Sequence, residues 1–358
     1  GRPDSQTAPL MATVIEPLYG AFETLMKSRN CRSPLELDVP ERRIEMSDGG
    51  TVRGIMKRER LDSHRLIEEF MITANVAAAE TLEKQRQPCM YRIHDRPSKE
   101  KADALNQFLR SLDLQFAKGQ VPQPRQFNQI LSSVEGEPEA HMVNQMILRS
   151  QAQAEYSPHN ISHFGLALRR YAHFTSPIRR YADLLVHRAL VSGLKLGAGG
   201  LHNHGEDFED LAGHISATER RAAKAERDAA DRFTALYLAD QIGVEFAARV
   251  NGVSRAGLFV TLQETGADGL VPIRTLPNDY YDHDPILHTL TGTSHGLVFG
   301  LAQELEVRLE EAMPLTGGLI MTLVDGEQTA LSNRPERRKN RVSDRRRGPK
   351  RRRGRRRS

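Results

Sequence analysis

The segment His173-Phe-Thr-Ser-Pro-Ile-Arg-Arg-Tyr-Ala-Asp-Leu-Leu-Val-His187 concentrates residue types that can bind a phosphate. Ser176-Pro177 reads as a helix start, with Ser as N-cap and Pro in the first helical position, the helix running to about Val191. Such a start presents unpaired backbone N–H groups and the positive end of a helix dipole. Arg179 and Arg180 fall in the same first turn and add planar forks of donors that match phosphate oxygens. The plain alternative is a capped surface helix with Arg179 paired to Asp183 four residues on. Physics alone leaves both open.

Other clusters carry less. His202 and His204 flank Asn203, and His159 and His163 stand four apart, but neither pair has a third ligand at zinc-like spacing. They read as ordinary surface histidines. Asp279, Asp282, His283 and Asp284 are metal-like types without coherent spacing, so a solvated loop is expected. Cys31 and Cys89 form no metal motif and no disulfide framework, which suits a reducing, cytoplasmic setting. No metal ligand is assigned.

These residues must be positioned by a chain of 358 residues with 39% hydrophobic and 27% charged side chains, enough for two or three domains. No run approaches the roughly 18 to 20 apolar residues of a membrane span, and no signal-peptide pattern opens the sequence. It begins at Gly1 without an initiator Met and is read as a fragment, and as a monomer. Residues 337–358 hold 14 Lys or Arg against Asp344 alone, a local +13 that leaves a net −8 elsewhere. The high isoelectric point therefore belongs to the tail, not to a basic face.

Residues 1–60 read as irregular, with a strand-like Leu35–Val39 and a hairpin of 43–46 and 51–56 turning at Gly49-Gly50. A helix capped by Asp62 or Ser63 keeps Leu66, Phe70, Met71, Ala74, Ala78 and Leu82 on the 3.6 period and ends near Pro88. Helices follow from Pro97, over 140–154, from Ser176, and over 207–240, the last with Phe208, Leu211, Ile215, Ala222, Ala225, Ala229, Phe233 and Leu236 inside. After Gly243 the period turns to alternation. Strands near 246–250, 257–262, 269–271, 305–309 and 319–323 indicate a five-stranded OB-fold barrel, a fold that commonly binds oligonucleotides. From Asn333 onward the composition cannot form a core and disorder is expected.

His173 to Tyr181 resembles the signature of the ribonuclease II (RNB) exoribonuclease family. Further blocks resemble it in order: Ile67 to Met71, Asn75 to Ala77, Tyr91 to His94, Leu148 to Ser150 and His163 to Leu166. Asn278-Asp279-Tyr280-Tyr281 and the basic tail fit one bacterial branch. The resemblance covers about residues 15–333. It implies an α+β fold: the C-terminal part of an RNB catalytic domain (1–238), an S1-type OB barrel (239–333), then a disordered Arg/Lys-rich tail (334–358).

The function implied is processive 3′-to-5′ hydrolysis of RNA to nucleoside 5′-monophosphates, in RNA degradation and quality control. Carried over by motif, Arg179 contacts the scissile phosphate and Glu226 lies near the reacting 3′ end. Glu226 read without the motif is an exposed helix acid paired with a neighbouring Arg. Tyr91, Arg92 and His94 would line an RNA channel, although Tyr91 reads equally as core. Thr175, Ser176, Pro177 and Arg180 join them as RNA-binding positions. Glu69 and Asn75 are separate, weaker candidates. The family's magnesium-binding aspartates form a tight motif before the Glu68-Glu69 block, and none stands between Gly1 and Glu68. The Mg2+ ligands are therefore expected upstream, and this chain by itself is expected to be inactive.

In the barrel, Phe259 would stack a base, unless it is core, and Arg249, Arg255 or Arg274 would take phosphates. Ala256 and Pro272 stand where that domain type often has an aromatic and a His, which weakens stacking. The tail would attach to structured RNA or ribosomes by charge, alongside single-stranded 3′ ends as substrate. The rival reading is a noncatalytic RNA-binding module. A protein-interaction scaffold would leave the 176–181 motif unexplained.

Overall fold

A computed structural model describes residues 3–324 except 38–41, 58, 117–121, 138, 202–206 and 286. The expected tail disorder, Asp38-Val39 and the pair His202/His204 lie outside the described residues.

The first element corrects the sequence reading of an irregular start. Helix α1 (Glu16–Arg32) shows no apolar period because only Phe22 of it is buried. It is held instead by charge: Arg29 Nη1 donates to Glu69 Oε1 at 2.6 Å, and Arg32 Nη2 stands 3.8 Å from Glu69 Oε2. Leu35 to Leu37 form no strand. The hairpin is present as β1 (Arg42–Met46) and β2 (Val52–Lys57), antiparallel with a bulge at Glu45/Met46.

Helix α2 (Asp62–Lys84) starts one residue ahead of the expected caps, with Leu61 as its extended N-cap. It buries Leu66, Ile72, Ala78, Ala79 and Leu82, with Glu69 and Asn75 on the same inward side. Strand β3 (Tyr91–Ile93) follows. Helices α3 (Lys99–Ser111), α4 (Pro124–Ser133) and α5 (Ala140–Ser150) pack around Phe108, Phe127, Val143 and Ile147. Strand β4 (Glu155–Ser157) pairs antiparallel with β3. Helices α6 (Tyr181–Leu194) and α7 (Phe208–Leu238) close a second core on α2 and that ribbon.

Two helix readings are corrected. The helix expected from Ser176 begins at Tyr181, because Arg180 adopts an extended conformation (φ −129°, ψ 119°). In α7, Ala222, Ala225, Ala229, Phe233 and Leu236 are exposed rather than interior; its buried positions are Ala212, Ser216, Thr234, Ala235 and Leu238, at the two ends. Residues 220–227 are exposed on every side, so this span bridges between two packed regions.

The barrel matches the alternation read from sequence. Strands β5 (Glu245–Ser254), β6 (Gly257–Leu262), β7 (Asp268–Pro272), β11 (Glu304–Met313) and β12 (Gly318–Leu323) close in the order β11-β12-β7-β6-β5. All pairings are antiparallel except β12 with β7. Between β7 and β11 an unanticipated meander, β8 (Tyr281–Asp284), β9 (Thr289–Gly292) and β10 (Val298–Gly300), adds Leu290 and Phe299 to the barrel core. Strands of three or four residues are too short to display a period. Among the described residues no helix is long and apolar enough to cross a membrane.

Gly257 opens β6 at φ +138°, where an added Cβ would lie 2.1 Å from the Val271 carbonyl oxygen and 2.7 Å from the Ile273 nitrogen. Both obstacles are backbone, one in β7 and one just past its end. Gly257→Ala is therefore expected to lower stability by about 3 kcal/mol or more in urea unfolding, through strain plus steric overlap. A loss below about 1 kcal/mol would show that the β6–β7 register adjusts freely.

Candidate nucleic-acid interface

Ser176 to Arg179 form a turn rather than a helical start. The Ser176 carbonyl accepts the Arg179 N–H at 3.3 Å and the Arg180 N–H at 3.2 Å. What holds the turn is Asp183, wholly buried in the first turn of α6. Its Oδ1 accepts the Ser176 N–H at 2.7 Å and Arg180 Nη2 at 2.9 Å, while its Oδ2 lies 2.8 Å from Arg180 Nε. The ion pair expected between Arg179 and Asp183 is thus made by Arg180, three residues away instead of four. Arg179 is exposed and has no ion-pair partner among the described residues. Beside it the Thr175 hydroxyl is buried without a hydrogen bond.

Upstream of the turn, the Phe174 backbone is gripped from both sides. Its N–H donates to Asn75 Oδ1 of α2 at 2.9 Å, and its carbonyl accepts from His187 Nε2 of α6 at 2.8 Å. The His187 ring also stacks on Phe174, with centroids 4.3 Å apart and 11° between planes. Asn75 Nδ2 then reaches the Tyr171 hydroxyl at 3.0 Å. A cleft of about 370 Å³ lies along this seam, lined by Ile67, Glu68, Met71, Asn75, Tyr171 and Arg180. The motif blocks separated by a hundred residues therefore meet.

The β3 candidates take different places. Arg92 lies in the seam: Nη1 donates to Glu219 Oε2 of α7 at 2.6 Å, and Cζ sits 4.7 Å above the Tyr156 ring. Tyr91 is buried in the helical core and donates its hydroxyl to Glu83 at 3.0 Å. His94 is buried too. Its Nδ1 accepts the Gly165 N–H at 2.9 Å, so Nε2 carries the proton and donates to the Ala152 carbonyl at 2.9 Å. Burial pushes His94 below its ordinary range despite that carbonyl. His163, read as a surface residue, is packed between the His94 and Tyr171 rings, and burial, then His94 and Arg92, lower it to about 3. His173 is likewise pushed to about 3 by burial and by the Arg180 and Arg92 charges. Its Nδ1 lies 2.8 Å from the Tyr156 hydroxyl. Both stay neutral beside the cations.

Glu226 is exposed on α7, with no partner among the described residues. Seven residues past Glu219, it lies near the same helix face about 10 Å further on. Glu69 is spent on α1, and Asn75 positions the turn. Asp183, Tyr156 and His187 were missed as site residues. The signal for Asp183 was present, but the misplaced helix start assigned it to the wrong arginine.

On the barrel, Phe259 projects outward from β6, 44% exposed, opposite Gly252 and Leu270. The core alternative for Phe259 is therefore not realised. The Ala256 carbonyl accepts the Ile273 N–H at 2.8 Å, which brings Arg255 and Arg274 to one edge. Both are exposed, whereas Arg249 is paired with Glu304.

A metal centre does not fit the described carboxylates, among which no three His, Cys, Asp or Glu side chains gather at one point. Asp279 accepts N–H groups from Tyr280 at 2.7 Å, Ser294 at 2.9 Å and His295 at 2.8 Å. Burial opposes its ionisation, but these donors outweigh that and hold it well below the usual carboxylate range. It ties the meander rather than offering a lone pair to a cation.

The RNB domain family matches residues 1–195. Ribonuclease R of Escherichia coli (strain K12) is 40% identical over 314 residues, 85% of this chain and 38% of that protein. Among solved structures, Mycoplasma genitalium RNase R in complex with ribose methylated single-stranded RNA aligns with a TM-score of 0.81 at 28% identity, covering 87% of this chain and 50% of that one. The same enzyme in complex with double-stranded RNA aligns at 0.73 and 25% identity, with the same coverage. The chain spans well under half the length of the curated relative.

Two outcomes follow from the geometry. Asp183→Ala strands the Arg180 charge and should cost about 3 kcal/mol in urea unfolding, whereas Arg179→Ala should change stability by less than about 0.5 kcal/mol. Equal costs would contradict the division of labour between the two arginines. Below their unfolded value near 6.5, His163 and His173 bind protons only when unfolded, so stability decreases as pH is lowered from about 6.5 to about 3. Each contributes a slope of about 1.4 kcal/mol per pH unit. Imidazole NMR signals of both should stay fixed from pH 8 to 5; movement near 6.5 would show them solvated.

Proposed function

We propose, for a chain that belongs to the RNB domain family shared with ribonuclease R, that it forms the C-terminal part of a 3′-to-5′ exoribonuclease. The parent enzyme would degrade RNA processively to nucleoside 5′-monophosphates. Residues 1–238 supply the back of the catalytic cavity and the barrel from 239 captures RNA. The tail beyond 334, outside the described residues, adds charge-driven attachment to structured RNA or ribosomes.

The observation that carries this reading is the unequal fate of three arginines. Arg92 and Arg180 are neutralised by Glu219 and Asp183, which leaves Arg179 on a rigid turn as the uncompensated cation. The unpaired Thr175 hydroxyl next to it is a further donor awaiting an acceptor. A phosphate placed there meets a pre-oriented guanidinium without reorganisation, the condition under which such a group stabilises developing charge. Arg92 and Glu226 would flank the 3′ end, and Phe259 with Arg255 and Arg274 would receive RNA on the barrel. Tyr91 and His94 act as framework rather than as channel lining.

The magnesium ions that the family reading calls for would be held by residues other than those described here. That point also defines the rival, a module that captures RNA without cutting it. Hydrolysis of a single-stranded RNA with a free 3′ end should appear only when the chain is extended upstream by about one domain. RNA binding without hydrolysis by the extended protein would favour the rival, and hydrolysis by this chain alone would overturn the placement of the metal ligands. In the extended enzyme, Arg179→Ala should lower kcat about 100-fold or more while changing RNA affinity less than about threefold. Equal losses would make Arg179 a binding residue only.

A further inference from the structure

Tyr280 is the most exposed aromatic residue among those described, 77% accessible, and its ring packs on no other ring or cation. The motif that contains it, Asn278-Asp279-Tyr280-Tyr281, has no part in the seam around Arg179. Its neighbours nevertheless fix it closely. The Tyr280 N–H donates to Asp279 Oδ1 at 2.7 Å, and its carbonyl accepts the Thr293 N–H at 2.8 Å. Asp279 is held in turn by the Ser294 and His295 N–H groups, with its side chain wholly covered. Gly292 makes room for that carboxylate, since an added Cβ would lie 2.4 Å from Asp279 Oδ2. On the other side, Tyr281 turns into the barrel core and donates its hydroxyl to the Pro277 carbonyl at 2.9 Å. The loop thus holds an unpartnered phenol outward on a fixed backbone.

What such a ring can bind follows from its surroundings. Asp279 is the only acid between Ile273 and Tyr281, and its carboxylate is turned inward, so the charge this stretch exposes is Arg274. The next acid, Asp282, stands further on in β8. Arg274 lies in the single turn Ile273–Thr275 that follows β7, and the Ile273 N–H reaches the Ala256 carbonyl beside Arg255. Two residues before the end of β7, Leu270 stands opposite Phe259. Phe259, the two arginines and Tyr280 therefore follow one another along the β6–β7 edge and into the loop. Aromatic rings alternating with cations hold a single strand by its bases and its phosphates together. Phe259 alone is one ring, and Ala256 and Pro272 beside it offer no π face. OB-type sites cover about 4 to 16 nucleotides, more than one ring can serve.

We infer that Tyr280 is a second base-stacking residue of the barrel, engaging the same single strand of RNA that lies on Phe259. The ring supplies the contact area and loses little freedom on binding, because it turns about only two side-chain torsions. Stacking of this kind accepts any base, so Tyr280 adds affinity without sequence preference. The inference rests on the RNA-binding reading of the barrel, and the test separates the two.

The full chain contains no Trp, so Tyr280→Trp and, separately, Phe259→Trp each place a single fluorophore at one ring. Each variant is titrated with a single-stranded RNA of about 12 nucleotides, at about 200 mM salt to weaken phosphate contacts. The emission of both should be quenched over the same range of RNA concentration. Tyr280→Ala should weaken binding about fivefold or more, and Tyr280→Phe should stay within about twofold of the parent, with unchanged melting temperatures for both exposed-site variants. Stacking releases no counterions, so the Tyr280→Ala loss should be equal at low and high salt, whereas Arg274→Ala should flatten the salt dependence. Quenching at Phe259→Trp with none at Tyr280→Trp, or unaltered affinity in Tyr280→Ala, would overturn the inference and leave the RNA reading standing. A loss shared by Tyr280→Phe would assign the contact to the hydroxyl and refute stacking. No RNA binding by the parent chain would refute the RNA reading, and the inference with it.

Discussion

Asp183 is a carboxylate with no solvent contact, and it is tolerable only because Arg180 and the Ser176 N–H both reach it. A buried charge without such partners would cost several kcal/mol. The requirement works in two directions. It forces Arg180 back onto α6 and out of helical geometry, so the preceding four residues close into a turn. It also consumes one arginine of an adjacent pair, and the other is left to face solvent.

The surroundings keep that turn in place without adding charge to it. Asn75 and His187 hold opposite sides of the Phe174 backbone, so its location is set jointly by α2 and α6. His163 and His173 fill the space behind as neutral rings, where a protonated imidazole would face Arg92 and Arg180. Rigid positioning of one cation by neutral neighbours is the arrangement that favours charge developing on a bound anion.

The two halves of the chain are joined by a helix that is buried only at its ends. Its first turns pack on the β3–β4 ribbon and its last on the barrel, while the span around Glu226 is open to solvent. The barrel is anchored again by Leu301, which enters the α3–α5 core, and by Arg149, which donates to the Asn251 carbonyl.

Local periodicity alone determined much of this protein: the hairpin, α2, α3, α5 and all five barrel strands follow from alternation or the 3.6 repeat. The motif from His173 to Tyr181 was legible for the same reason, since its residues are contiguous. What only tertiary structure decided is where charge-driven and long-range contacts override local rules. Helix α1 exists through Arg29 and Glu69 rather than an apolar face, and Ala222, Ala225 and Ala229 of α7 are exposed because nothing packs on its middle. Whether Arg179 or Arg180 pairs with Asp183 turns on one residue's backbone angles. Those angles are set by a buried carboxylate and by Asn75, about a hundred residues upstream of the turn. Spacing along the chain cannot report such a choice, because the deciding energy is the desolvation of Asp183, which arises only when α2, β4 and α6 close around it.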